Sequence, residues 1–204
     1  FSFDGNQIHF DFVFIAIHGT PCEDGKLQAY FDLLGIPYSS PNHIGSTLTF
    51  NKWYCNTLLN QLGYTVANSF YIRKNDKFNE EEIIQKVGIP CFVKPCSCGS
   101  SYGITKVKEA ANLGAAIHFA LEYDVEVMVE ECLDGKEVTC GVYQEDGQVK
   151  PLPITQIIPK GEFFDYEAKY QGNSHEITPA RIDESNYKKV QQIAAEVYER
   201  LDLR

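Results

Sequence analysis

Lys94 closes a mostly apolar run, and a small-residue loop follows it: Gly99, Ser100, Ser101, Tyr102 and Gly103. Glycine lets a backbone come close to a ligand, and successive N–H groups with two hydroxyls can wrap phosphate oxygens. Lysine is seldom buried without a partner, so an ammonium beside such a loop is a natural counter-charge for a phosphate. The pattern is not a Walker loop: it lacks Gly-Lys-Ser/Thr and joins two strands instead of opening a helix. Taken alone, the segment also fits an ordinary turn beside a lysine that snorkels outward. A second group is Glu130, Glu131, Cys132 and Leu133, with Glu137 shortly after. A strand end exposes N–H and C=O groups that can pair with an adenine edge, and a carboxylate can accept both hydroxyls of a ribose. A solvated acidic strand end fits the same residues.

Residues 164–170 read Phe-Asp-Tyr-Glu-Ala-Lys-Tyr. A lid needs bulk to exclude water and a cation to follow a moving phosphoryl charge, which Lys169 can supply. A surface loop with packed tyrosines has the same composition. His18 stands where an apolar run ends, the usual place for sites in α/β proteins, although a lone histidine there is commonly structural. Lys52 taken alone reads as a solvated surface lysine.

These residues need elements to hold them. The apolar run 12–17 reads as a buried strand, followed by the loop 18–25 and by a helix with Leu27, Tyr30, Phe31 and Leu34 on one face and Gly35 as its stop. Leu48, Cys55, Leu58, Leu59 and Leu62 fit a single second helix closed by Gly63. Strands are expected over 66–72, 89–95, 104–107 and 125–130, with helices over 80–87 and 109–122. The runs 138–143 and 149–154 flank Asp146-Gly147 and read as the two arms of a hairpin. Residues 159–179 are polar, aromatic and too long for an idle connection, which suits a lid or binding loop. A last helix carries Val190, Ile193, Ala194, Val197 and Leu201 on one face.

The chain has 204 residues, enough for one large domain or two small ones with a real core. Its 18 Lys and Arg against 28 Asp and Glu give a net charge of −10, which argues against nucleic acid as a partner. No apolar run is long enough to span a bilayer. Seven cysteines without a CxxC pair read as reduced thiols of a cytoplasmic protein, not as a zinc site. The first residue is Phe1, not methionine, and sequence is expected to be missing ahead of it.

The order of these features resembles the D-alanine–D-alanine ligase family through nearly all of the chain. The matching runs are His18-Gly19 with Glu23-Asp24-Gly25 and Leu27-Gln28, Gly35-Ile36-Pro37-Tyr38, Lys52, Val93-Lys94-Pro95 with Gly99-Ser100-Ser101 and Gly103, Val129-Glu130-Glu131, and Tyr166-Glu167-Ala168-Lys169-Tyr170. The first and last runs are specific, whereas the Gly-Ser-Ser run is shared more loosely among ATP-grasp ligases. The resemblance implies a mixed α/β and α+β chain with an ATP-grasp fold after a Rossmann-like N-terminal domain, incomplete at both ends. Residues 1–40 would be the remainder of the substrate-binding domain, 41–130 the central ATP-grasp subdomain, and 131–204 the first part of the C-terminal subdomain with the lid.

It further implies ATP-dependent joining of two D-alanines through an acyl phosphate, for peptidoglycan precursors, with Mg2+ or Mn2+ and possible homodimerisation. Lys52 and Lys94 would hold the α- and β-phosphates, and Ser101 would cover them. Glu130, Glu131 and Leu133 would meet the adenine edge and ribose side, and Glu137 the ribose hydroxyls. Ser100 and Tyr170 would hydrogen-bond across the closed lid, Lys169 would approach the transferred phosphate, and His18, with Glu23 nearby, would sit by the first D-alanine. Tyr170 favours the dipeptide over a D-alanine–D-lactate ester.

Cys22 departs from the family's usual glycine; were its φ positive, the cost would be about 1 kcal/mol or more. Cys98 and Glu131 are also unusual. The family's first glutamate and its closing Arg, Asp and Glu-x-Asn, which hold substrate and metal, have no match, so no metal ligands are expected in this chain and it should not complete catalysis as written. Another ATP-grasp ligase and a non-catalytic nucleotide-binding remnant are the alternatives.

Overall fold

The computed structural model describes residues 2–159 and 174–203. A short ribbon, β1 (Ser2–Phe3) against β2 (Asn6–Gln7), precedes an extended segment and three helices, α1 (Lys26–Leu34), α2 (His43–Phe50) and α3 (Lys52–Gln61). Then come β3 (Ser69–Arg73), α4 (Glu80–Val87), β4 (Cys91–Pro95), β5 (Thr105–Val107), α5 (Leu113–Ala120) and β6 (Glu126–Glu131). The rest comprises β7 (Glu137–Thr139), β8 (Val142–Glu145), β9 (Gln148–Pro151), β10 (Thr155–Pro159), β11 (Ser174–Ile177) and α6 (Glu184–Arg200).

Strand periodicity sets the central sheet. Successive side chains on a strand face opposite ways. On β4, Cys91 and Val93 are buried while Phe92 and Lys94 are only partly so. The sheet is antiparallel with order β3-β6-β4-β5, and Phe92 pairs with Glu130 on one side and Lys106 on the other. One face carries Ile72, Cys91, Val93, Val107, Val127 and Val129, packed against Ile83 and Val87 of α4 and Leu113 and Ile117 of α5. Each such side chain contributes roughly 1.5–3 kcal/mol of burial. The opposite face presents Phe92, Lys94 and Glu130, together with the buried Met128 and with Tyr71, whose ring centre lies 5.1 Å from that of Trp53 on α3.

Helix α4 starts where Asn79 accepts from the Glu81 N–H, has Glu80, Glu81 and Glu82 in its first turn against the helix dipole, and stops at Gly88. Strands β11, β10 and β7 form a three-stranded antiparallel sheet. The β8–β9 hairpin turns through Asp146 (φ 52°) and Gly147 (φ 75°), the left-handed pair a two-residue turn requires. Helix α6 is tied to this region: Tyr187 Oη accepts from the Ile154 N–H at 2.9 Å, and Gln191 Nε2 donates to Leu152 O at 3.0 Å.

Several sequence expectations need correction. Residues 12–17 are not a buried strand. Their one bridge pairs Val13 with Tyr38, and Phe14 is 78% exposed; a parallel strand is held by neighbours on its edges, and here there is a single rung. The expected helix through Leu48 and Leu62 is two helices, broken at Asn51, whose extended backbone (φ −83°, ψ 112°) ends α2 and caps α3. The run 138–143 divides: Glu137–Thr139 joins β10, and Val142–Glu145 alone enters the hairpin. Cys22 is buried and lies outside the left-handed region, so it carries no such strain. The proposed lid, 164–170, lies outside the described residues.

Gly25 holds the His18 loop against α2. Its φ is +83°, and a Cβ there would lie 2.3 Å from Thr47 Oγ1 and 2.4 Å from the His43 carbonyl oxygen. Gly25→Ala is expected to lower unfolding free energy by about 2–4 kcal/mol, from left-handed strain plus overpacking. Urea denaturation checks this; a loss below about 1 kcal/mol would mean that neither effect operates.

Candidate functional site

The polar face of the central sheet borders a cleft of about 800 Å³. Lys94, Ser101 and Lys106 line one side, residues 130–133 form its back, and Glu137 with residues 156–159 line the other. The structure therefore brings together Lys94, Ser101, Glu130, Glu131, Leu133 and Glu137, which lie up to 43 positions apart (137 − 94).

Lys94 Nζ is ion-paired with the Glu130 carboxylate; the two side chains are 22% and 12% exposed. Asn56 Nδ2 donates to the other Glu130 oxygen at 3.0 Å. Glu130 thus engages both Lys94 and Asn56. The Lys94 and Lys106 ammonium groups stand 5.3 Å and 5.5 Å from the centre of the Phe92 ring, within cation–π range. Cation and ring share the face because Phe92 and Lys94 are two residues apart and Lys106 is paired with Phe92 across the ladder.

Lys52 does not line the cleft. Its ammonium donates to Pro95 O at 3.0 Å and Cys98 O at 2.8 Å, so it braces the loop from behind. Burial, together with the neighbouring charge of Lys94, lowers its pKa from the ordinary lysine value. The loop itself is strained: Ser100 and Ser101 have φ of 51° and 60°. Left-handed non-glycine residues cost about 1 kcal/mol or more each and cluster at functional sites. Gly103 closes the loop where a Cβ would lie 2.8 Å from both Pro95 Cγ and Tyr123 Cδ2.

Glu131 lines the cleft, and its carboxylate accepts from Asn68 N at 2.8 Å and Asn68 Nδ2 at 3.0 Å. Those bonds hold its pKa below the ordinary glutamate value. Leu133 is exposed at the cleft edge, and its N–H has no hydrogen-bond partner among the described residues. Glu137 is exposed at the far wall.

The His18 loop reaches this assembly from the other side. Glu23 Oε2 accepts from the Gly19 N–H at 2.6 Å, and Glu23 Oε1 lies 4.0 Å from His18 Nδ1. The His18 side chain is 91% exposed. A Cβ placed on Gly99 would lie 3.7 Å from Glu23 Oε2, so the two loops abut. Lys169 and Tyr170 lie outside the described residues.

Sequence reading missed Asn56, Lys106 and Gln156, which also line the cleft. Lys106 becomes visible only with the β4–β5 register, and Asn56 only by counting one helical turn on from Lys52. Among the described residues no group of three or more His, Cys, Asp or Glu is placed to hold a metal ion. No helix among the described residues is long and apolar enough to cross a membrane.

The Lys94–Glu130 pair makes a measurable prediction. Removing one member of a buried pair strands the other charge, at a cost of about 3–5 kcal/mol when burial is complete and about 2–3 here, where both retain some exposure. Lys94→Met is expected to fall in that lower range by urea denaturation, and Lys94→Met/Glu130→Gln to recover more than half of the loss. Additive losses would show that the two side chains are not coupled.

The family description "D-ala D-ala ligase N-terminus" matches residues 1–41, and "D-ala D-ala ligase C-terminus" matches residues 58–204. The chain is 51% identical over 201 residues to the D-alanine–D-alanine ligase of Flavobacterium johnsoniae, covering 98% of this chain and 62% of the relative. The crystal structure of the VanG D-Ala:D-Ser ligase from Enterococcus faecalis superposes with a TM-score of 0.82 at 37% identity, covering 97% of this chain and 58% of that one. The D-alanine–D-alanine ligase from Bacillus anthracis, solved in complex with ATP, gives 0.79 at 28% identity, over 95% and 60%. The chain therefore spans about three fifths of the length of these proteins. Its ATP-grasp fold, its cleft and both family descriptions agree: the chain belongs to the D-alanine–D-alanine ligase family.

Proposed function

We propose that the cleft binds ATP and that the protein carrying this chain joins two D-alanines into D-alanyl-D-alanine for peptidoglycan precursors. The observation that carries this is the ion-paired Lys94 and the strained Ser100-Ser101 turn meeting residues 130–133 around one cavity. A triphosphate would draw the Lys94 ammonium from Glu130, and the loop N–H groups with Ser101 would close over it. The Leu133 N–H would meet the base, and the Glu137 carboxylate the ribose hydroxyls. Residues 1–40 would carry the substrate side, 41–130 the phosphate loop, and 131–204 the far wall with its lid.

Two steps follow. A carboxylate oxygen of the first D-alanine attacks the γ-phosphorus, and ADP leaves. The amine of the second D-alanine then attacks the acyl carbon, phosphate leaves through a tetrahedral intermediate, and the amine proton is released. A carboxylate repels a triphosphate, so cations and positioning supply most of the acceleration. Lys94 neutralises charge at the phosphates. His18, held beside Glu23 where that loop abuts Gly99, would orient the first D-alanine. Lys169 and Tyr170 would complete the lid, because an acyl phosphate must be kept from water. When bound with the nucleotide, Mg2+ or Mn2+ would supply further charge neutralisation.

The 37% identity to a D-Ala:D-Ser ligase favours a second reading of the acceptor, D-serine in place of the second D-alanine. Phosphate release from the protein carrying this chain, given ATP, Mg2+ and one candidate substrate at a time, separates the cases. The expected result is release with D-alanine alone, and none above background with L-alanine. Release only when D-serine or D-lactate is added to D-alanine would overturn the dipeptide assignment; no release with any of them would overturn the ligase.

A further inference from the structure

Asn51, the residue that breaks α2 from α3, is 5% exposed, and its side chain makes four hydrogen bonds. Its Oδ1 accepts from the Trp53 and Tyr54 N–H groups, both at 3.1 Å, which caps α3. Its Nδ2 donates to Ser97 Oγ at 3.1 Å and to Glu126 Oε2 at 2.9 Å. Glu126, at the start of β6, also accepts from Tyr71 Oη at 2.6 Å and Tyr54 Oη at 3.2 Å. Ser97 is the third residue before Ser100, and its own N–H donates to Asp124 Oδ2 at 2.6 Å. The neighbouring Lys52 N–H donates to Cys96 O at 2.9 Å. One buried amide therefore touches a helix start, a strand start and the stem of the loop at the cleft.

We propose that Asn51 is a positioning residue: its amide donors clamp the stem of the phosphate loop at Ser97 to the Glu126 carboxylate, and so set where residues 99–103 stand over the cleft. The inference rests on the nucleotide reading of that loop, although the clamp itself is a property of the protein without ligand. Burial alone would raise the Glu126 pKa, yet the bonds from Tyr71, Asn51 and Tyr54 hold it below the usual glutamate value, with Arg73 nearby adding to the effect. These donors thus favour the charged carboxylate against its burial. Misplacing a loop by an ångström costs a site much of its binding, whereas a helix cap acts only on stability.

The cap and the clamp can be separated by chemistry. Asn51→Asp keeps the acceptor that caps α3, since aspartate caps about as well as asparagine. It loses both donors and sets a second carboxylate against Glu126. Asn51→Asp/Glu126→Gln restores the bond with its polarity reversed. The introduced glutamine amide donates to the introduced aspartate carboxylate, and its oxygen still accepts from Tyr71 and Tyr54. The Ser97 hydroxyl donates to the same aspartate carboxylate. If Asn51 acts only as a cap, exchange over residues 96–103 changes no more than in the rest of the chain, whatever the charge repulsion does to overall stability.

The test is amide hydrogen exchange over residues 96–103 without nucleotide, together with ATP affinity of the protein carrying this chain. Asn51→Asp is expected to speed exchange in the loop by ~10-fold or more and to weaken ATP binding by ~10-fold, as expected for about one buried charge-assisted bond lost. The double variant is expected to return both to within ~3-fold of the parent. Unchanged loop exchange in Asn51→Asp overturns the proposal, as does a double variant that exchanges as fast as the single one. Should Asn51→Asp not fold, the double variant decides: parent-like loop protection supports the clamp, and failure to recover folding or protection overturns it. If the parent binds no ATP while exchange follows the expected pattern, the nucleotide reading fails and the clamp stands.

Discussion

A lysine ammonium on a half-buried strand is tolerable only where an opposite charge meets it, and that requirement organises this chain. Lys94 and Glu130 face each other across the β4–β6 ladder, inside a cleft that leaves neither fully exposed. Such a pair adds little to stability compared with apolar residues of the same size, because desolvation offsets the attraction. In the proposed reading its use lies in being exchangeable: a polyanion entering the cleft would offer the ammonium a better partner, and Glu130 would keep Asn56 as a donor if the lysine moved. The sheet is two-faced: α4 and α5 bury one side, and Phe92, Lys94 and Glu130 border the cleft on the other.

Much of this face was legible in the sequence. The Phe92-x-Lys94 alternation within an apolar run, the Gly and Ser residues after it and the carboxylates closing the next strand each carry a local signal. Helix α4 and the Asp146-Gly147 turn were readable because they depend on near neighbours in the sequence. What escaped depends on distant partners. Lys106 joins the cleft through strand register, which no local pattern encodes. Asn51 breaks an otherwise continuous helical pattern because its side chain finds Ser97 and Glu126, 46 and 75 positions away. The apolar run 12–17 has the composition of a buried strand, but composition does not supply the neighbours that bury one.

Lys52 shows the same divide from the other side. Its place in the family pattern suggested a phosphate ligand, yet here its ammonium is given to loop carbonyls. With Asn51 it forms the underside of a loop whose upper surface carries two serines in left-handed conformation. Strain of that kind persists only where surrounding bonds over-determine the backbone. The stem bonds from α3, the Asp124 contact at Ser97 and the close packing around Gly103 are those bonds. Under the proposed nucleotide reading, a loop held in this way would favour charge stabilisation with little reorganisation at the moment of reaction.

The exchangeable pair is examined most directly by a crystal structure of the protein carrying this chain with a non-hydrolysable ATP analogue. The phosphates are expected to lie between the Lys94 ammonium and Ser101, the lysine to have left Glu130, and the base to sit against residues 131–133. A nucleotide seated elsewhere, or one bound in the cleft with the Lys94–Glu130 pair intact and the phosphates turned away from the loop, would contradict it.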